Sequence, residues 1–167
     1  WDIDLSDQNH DISHENAAVK FKELFIQSVK RRLRSDVPVG TSLSGGLDSS
    51  SIVCVMDSLI KGTGQVHKTF SARFNHPDFD EGKYINLVTQ NTKVKPYEVW
   101  PNQDTFINTA EKLYYHFEEP LLSSSMVAQW SVMNLVKENN VTVLLDGQGG
   151  DEILAGYPFY YNHYFSE

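Results

Sequence analysis

Two short stretches hold the residue types best suited to chemistry: Ser44-Gly45-Gly46-Leu47-Asp48-Ser49-Ser50, and Asp146-Gly147-Gln148-Gly149-Gly150-Asp151-Glu152. Glycine lets a backbone turn with positive φ and lets an anion come close to the amides. A helix that starts on such a loop adds unpaired N–H groups and a partial positive charge. The hydroxyls of Ser44, Ser49 and Ser50 add donors, so the first loop favours phosphate or pyrophosphate. Asp48 breaks the pattern, because a carboxylate beside a phosphate repels it. An intervening cation, most often Mg²⁺, reverses the sign; a helix N-cap is the competing reading. The loop lacks the lysine of a Walker-type phosphate loop. The second loop repeats the logic with Asp151, against the competing reading of a solvated turn. One shared Mg²⁺–pyrophosphate site explains both loops better than two coincidences.

Both loops must be positioned by elements on either side. Apolar residues at Ala18, Phe21, Phe25, Val29 and Leu33 predict an amphipathic helix over 15–34, with its basic end complementing the helix dipole. Residues 37–43, 68–74, 94–100 and 141–145 read as strands, the last as buried. Helices are predicted over 47–60, from 80 to about 90, over 103–117 and over 123–137. Strands separated by helices imply an α/β fold with a parallel sheet and right-handed crossovers. Each Gly-rich loop directly follows a predicted strand, so both belong on the carboxyl edge of the sheet, where ligands bind in such folds.

The totals set outer limits. The chain has 167 residues, 40 % of them hydrophobic and 22 % charged, as expected for one globular domain. A net charge of −8 argues against nonspecific nucleic-acid binding. No apolar run approaches the ~20 residues of a membrane span, and the acidic start is unlike a signal peptide. Cys54 is the only cysteine, which rules out an intrachain disulfide and fits a cytoplasmic location; its apolar run predicts a small buried residue. The six histidines have no metal-ligand spacing. The aromatic residues from Tyr157 to Phe165 are expected to pack against further parts of a longer parent.

SGGLDSS resembles the signature of the ATP-pyrophosphatase (PP-loop) superfamily. The pairing of VPVGTSLSGGLDSS with LLDGQGGDEILAGY, with TFSARFNHPDFDEGKY and YHFEEP between them, is similar to the synthetase domain of glutamine-dependent asparagine synthetases. The resemblance implies an adenine nucleotide alpha hydrolase-like three-layer sandwich. A lead-in at 1–14 would precede a partial synthetase domain at 15–167, and the glutaminase domain of the parent would lie elsewhere. It implies that Ser44, Gly45, Gly46, Asp48, Ser49 and Ser50 hold the pyrophosphate of ATP, with Asp48 and Asp151 on Mg²⁺. Ser42, Leu43, Ala72, Asp146 and Gly147 would border the adenosine. The implied reaction adenylates the side chain of aspartate and lets ammonia displace AMP to give asparagine.

The match has departures. Gln148 stands where the best-known members carry a glutamate thought to act in the second half-reaction; glutamine can orient a partner but cannot act as a base. The lysine that the family places on the pyrophosphate, and the cysteine of the glutaminase, have no counterpart here. The chain is therefore expected to be the core of a larger enzyme, binding ATP weakly and turning over poorly alone. Rival readings are an adenylate-forming relative with another carboxylate, a noncatalytic module sensing ATP or AMP, and a degenerate scaffold.

Overall fold

The computed structural model describes residues 11–120 and 123–166; of the expected lead-in at 1–14, residues 1–10 lie outside them. The chain divides into two units at Arg34/Ser35. The first contains α1 (His14–Arg32), capped by the Ser13 hydroxyl, which accepts from the Asn16 amide. Glu15 in its first turn and Lys30, Arg31 and Arg32 in its last complement the helix dipole, as the sequence predicts. The expected core stripe is only partly realised: Val29 is buried, but Phe21 stays exposed and stacks on Phe25 at 6.0 Å.

The second unit runs β1 (Val39–Ser42), α2 (Leu47–Ile60), β2 (Lys68–Ala72), α3 (Gly82–Gln90), β3 (Lys95–Val99) and α4 (Gln103–Phe117). It continues with α5 (Ser125–Glu138), β4 (Val143–Leu145), α6 (Gly150–Leu154) and α7 (Tyr160–Tyr164). The strands form one sheet in the order β3-β2-β1-β4, and every pair is parallel. From β1 the chain moves outward to β2 and β3, then returns to the other side of β1 as β4. That reversal puts a topological switch point between β1 and β4, beyond whose carboxyl ends a crevice opens.

The period of two along β2 divides the core. Phe70 packs with Val132 and Val136 of α5 and with Val141. The opposite face carries Thr69 and Ser71, beside a second cluster of Leu43, Val53 from α2 and Ile85 from α3. Helices therefore cover both faces, giving the expected three layers. α4 is held at its start by a capping box between Asn102 and Thr105, and ends at Glu118, which adopts φ 57°.

Two expectations are corrected. Cys54 is exposed, not buried. The buried residues of α2 are Ser49, Val53, Met56 and Ile60, a 4-3-4 spacing that marks one face; Cys54 falls about 100° around the helix from Val53. The run around it is apolar by composition, but the period decides which face meets the sheet. β4 is half-buried, not fully buried, because it lies at the end of the strand order. Among the described residues no helix is long and apolar enough to cross a membrane.

Candidate functional site

β1 ends at Ser42, and its line is extended by Leu43, whose amide donates to Phe70 O at 2.9 Å. The chain then turns at Gly45, with φ +94°, and enters α2 through the N-cap Gly46. No side chain caps α2, so N–H groups of its first turn lack the usual protein acceptor. The turn is braced internally. Ser49 Oγ donates to Gly46 O at 3.2 Å, accepts from the Ser44 amide at 3.2 Å, and meets Ser44 Oγ at 3.0 Å. Ser49 is buried, so its hydroxyl is committed to holding the loop; Ser44 is exposed.

The second loop lies against the first. A Cβ placed on Gly147 would come within 3.1 Å of both Asp48 Cβ and the Ser49 amide nitrogen, and one on Gly150 would run into the Asp48 carboxylate. Absence of a side chain at these two positions is what lets the loops meet. The Asp48 carboxylate thus sits beside Gly150, the residue before Asp151. Beyond α6, Tyr157 Oη donates to Glu152 Oε1 at 2.8 Å. That bond, helped by burial and the nearby Glu152 and Asp151 charges, holds the Tyr157 phenol above its ordinary pKa.

Between the loops lies a cleft of about 740 Å³. Of the residues expected from sequence, Ser42, Leu43, Ser44, Gly46, Asp48 and Ser49 line it from the first loop; Ala72, Asp146, Gly147, Gln148 and Asp151 complete the set. Gly45 and Ser50 do not line it: Gly45 turns toward Glu81 and Tyr84, and the Ser50 amide is bonded to Gly46 O at 3.0 Å. Sequence reasoning missed the remaining walls. Phe74, Phe79 and Glu81 come from the segment after β2, and Ser125, Gln129, Val132 and Met133 from α5. The α5 residues recur at i, i+4 and i+7, a signal that could have marked a face turned toward a ligand. Asp48, Glu81, Asp146, Asp151 and Glu152 line the cleft with no lysine, arginine or histidine among the described residues. These carboxylates give the cleft a negative field that disfavours a bare polyphosphate; among the described residues no three of them gather closely enough to hold a metal ion by themselves.

A family model described as asparagine synthase matches residues 20–167. The chain belongs to the asparagine synthase family. A Methanocaldococcus jannaschii protein provisionally named glutamine-hydrolyzing asparagine synthetase 2 is 37 % identical over 143 residues, which cover 86 % of this chain and 27 % of that protein. Glutamine-hydrolyzing asparagine synthetase 1 of Bacillus subtilis is 33 % identical over 149 residues, covering 89 % of this chain and 23 % of the relative. The chain therefore spans about a quarter of the length of these relatives. An NH3-dependent NAD synthetase from Campylobacter jejuni shares the fold, with a TM-score of 0.53 at 12 % identity over 83 % of this chain and 60 % of that one. The fold is thus the parallel, adenine nucleotide alpha hydrolase-like type that the sequence resemblance implies. The region matched by the family model takes in the whole sheet and both Gly-rich loops.

Proposed function

We propose that this chain is the nucleotide- and carboxylate-activating part of an ATP-dependent amide synthetase acting on aspartate. The observation that carries the reading is the meeting of the two Gly-rich loops at Asp48, on the switch-point edge of a parallel sheet. ATP enters the cleft with its adenosine bordered by Ser42, Leu43, Ala72, Asp146 and Gly147. Its β- and γ-phosphates lie on the turn of Ser44 to Ser50. The first-turn amides of α2 and the Ser44 hydroxyl bind the phosphate oxygens, while Ser49 keeps the turn in shape. Asp48 and Asp151 would hold Mg²⁺, whose chemistry is to offset charge on the departing pyrophosphate.

An oxygen of the aspartate side chain attacks the α-phosphorus, the α–β phosphoanhydride bond breaks, and pyrophosphate leaves with the bonding electrons. Ammonia then attacks the acyl carbon and AMP leaves, giving asparagine. The protein contributes orientation and a preorganised field, not covalent chemistry. Gln148 orients by hydrogen bonding and takes no proton. Ammonia is supplied by a glutaminase unit outside residues 15–167, in keeping with the names of the relatives.

The test is a calorimetric titration with Mg·ATP, followed by pyrophosphate–ATP exchange with and without aspartate. Saturable binding that is lost in Asp48→Asn, with exchange that needs aspartate, is the expected result. Exchange driven by another carboxylic acid would move the reading to a related adenylate-forming enzyme, a reading that Gln148 favours. Binding without exchange for any acid would favour a nucleotide sensor. No binding would overturn the nucleotide assignment.

A further inference from the structure

Arg73 lies just past β2, outside every role described above, yet it is the best-connected cation among the described residues. Its Nε donates to Asp80 Oδ1 at 2.8 Å, Nη2 to Asp80 Oδ2 at 2.9 Å, and Nη1 to Glu98 Oε1 at 2.7 Å. The guanidinium carbon stands 4.9 Å from the ring centre of Trp100, and the Arg73 side chain is only 12 % exposed. Exposed ion pairs contribute little, but a bidentate Arg–carboxylate pair fixes geometry as well as energy. The pairing with Arg73 is the main reason Asp80 is pushed down to about 2.

The consequence for the site runs through the backbone. Asp80 Oδ1 also accepts from the Phe74 amide at 3.2 Å, so one carboxylate closes the segment 74–80 into a loop. A side chain at Gly82 would strike the guanidinium, so its absence lets the start of α3 lie close against Arg73. Between these two anchors sits Glu81. Its carbonyl oxygen and Cβ lie 3.1 and 3.2 Å from where a Cβ on Gly45 would be. Glu81, with Phe74 and Phe79, also lines the cleft.

We propose that Arg73 is a positioning residue for the cleft: by clamping Asp80 it seats Glu81 against Gly45 and fixes the turn of Ser44 to Ser50. The link from clamp to function rests on the nucleotide reading above. The mechanical link does not, and the two are tested separately.

Hydrogen exchange on the intact chain tests the mechanical link in Arg73→Lys, which keeps the charge but loses the fork, and in Asp80→Asn. The expected result is at least tenfold faster exchange at the Ser44 and Ser50 amides and across 74–81, with the amides of β1 and β2 unchanged. Acceleration confined to 74–81, no acceleration, or a uniform rise across the sheet in both variants would each overturn the proposal. Mg·ATP titration then tests the functional link, with an expected rise in Kd of at least fivefold in both variants. An unchanged Kd beside faster exchange at Ser44 would overturn the functional link. If the unsubstituted chain binds no Mg·ATP, the nucleotide reading fails, and the exchange data still decide the clamp.

Discussion

Replacing Gly45 with alanine tests the physical account of the first loop directly. Two costs add at this position. The backbone sits at φ +94°, where an L side chain is strained, at about 1–2 kcal/mol. The new Cβ would also stand 3.0 Å from Tyr84 Cβ, 3.1 Å from Glu81 O and 3.2 Å from Glu81 Cβ, so the walls must shift, at about 1–3 kcal/mol. Restricting the unfolded chain returns about 0.4–1 kcal/mol. The net loss is roughly 1–5 kcal/mol. Two neighbours separate the terms. Gly149 has φ +91° with nothing within 4 Å of an added Cβ, so Gly149→Ala carries the strain alone, about 1 kcal/mol. Gly46 has φ −65°, and its nearest neighbour would be Ser44 Oγ at 3.4 Å, so Gly46→Ala loses only part of a helix cap, at most about 1 kcal/mol. Urea unfolding of the three variants, read by far-UV circular dichroism, gives the order. If Gly45→Ala costs no more than Gly149→Ala, Glu81 and Tyr84 do not confine the loop and the reasoning fails.

Two further outcomes follow from buried polar groups. Ser49→Ala removes the hydroxyl that accepts from the Ser44 amide and donates to Gly46 O; the expected loss is about 1–2 kcal/mol in urea unfolding, and faster exchange at the Ser44 amide distinguishes it from a simple loss of packing. His67 is buried with Nε2 2.8 Å from Thr41 Oγ1, and burial lowers its pKa from 6.5 to about 4 against the opposing pull of Asp57. The unfolded chain therefore takes up the proton first as pH falls, so stability is full above pH 6.5 and declines toward pH 4, by up to roughly 3 kcal/mol. His67→Gln should flatten that part of the stability–pH curve, and an unchanged slope would show that His67 is not its source.

How much was legible in advance differs between particular elements. The helices expected over 47–60 and 103–117 are α2 and α4 at their observed bounds, with Gly62 and Gly64 just past the first and Glu118-Glu119-Pro120 just past the second. Both lie between strong local punctuation, and local punctuation is a property of the chain itself. The same local reading failed for Cys54, where an apolar run was taken for a buried one and the helix period turns it outward. It also missed Phe74, Phe79 and Glu81 as walls of the cleft, because the approach of their segment to the first loop is a contact between stretches distant in sequence, Glu81 against Gly45.

The sequence by itself determined the alternation of strand and helix, hence a parallel sheet, and it placed both Gly-rich loops after strands and so on one edge. These follow from side-chain period and from the handedness of crossovers, which act over short stretches of chain. Only the tertiary structure decided that β4 returns beside β1, that Asp48 therefore meets Gly150, and that Ser49 spends its hydroxyl inside the loop. Strand order and hydrogen-bond partners depend on which distant surfaces fit together in three dimensions, and a linear pattern of residue types does not carry that information.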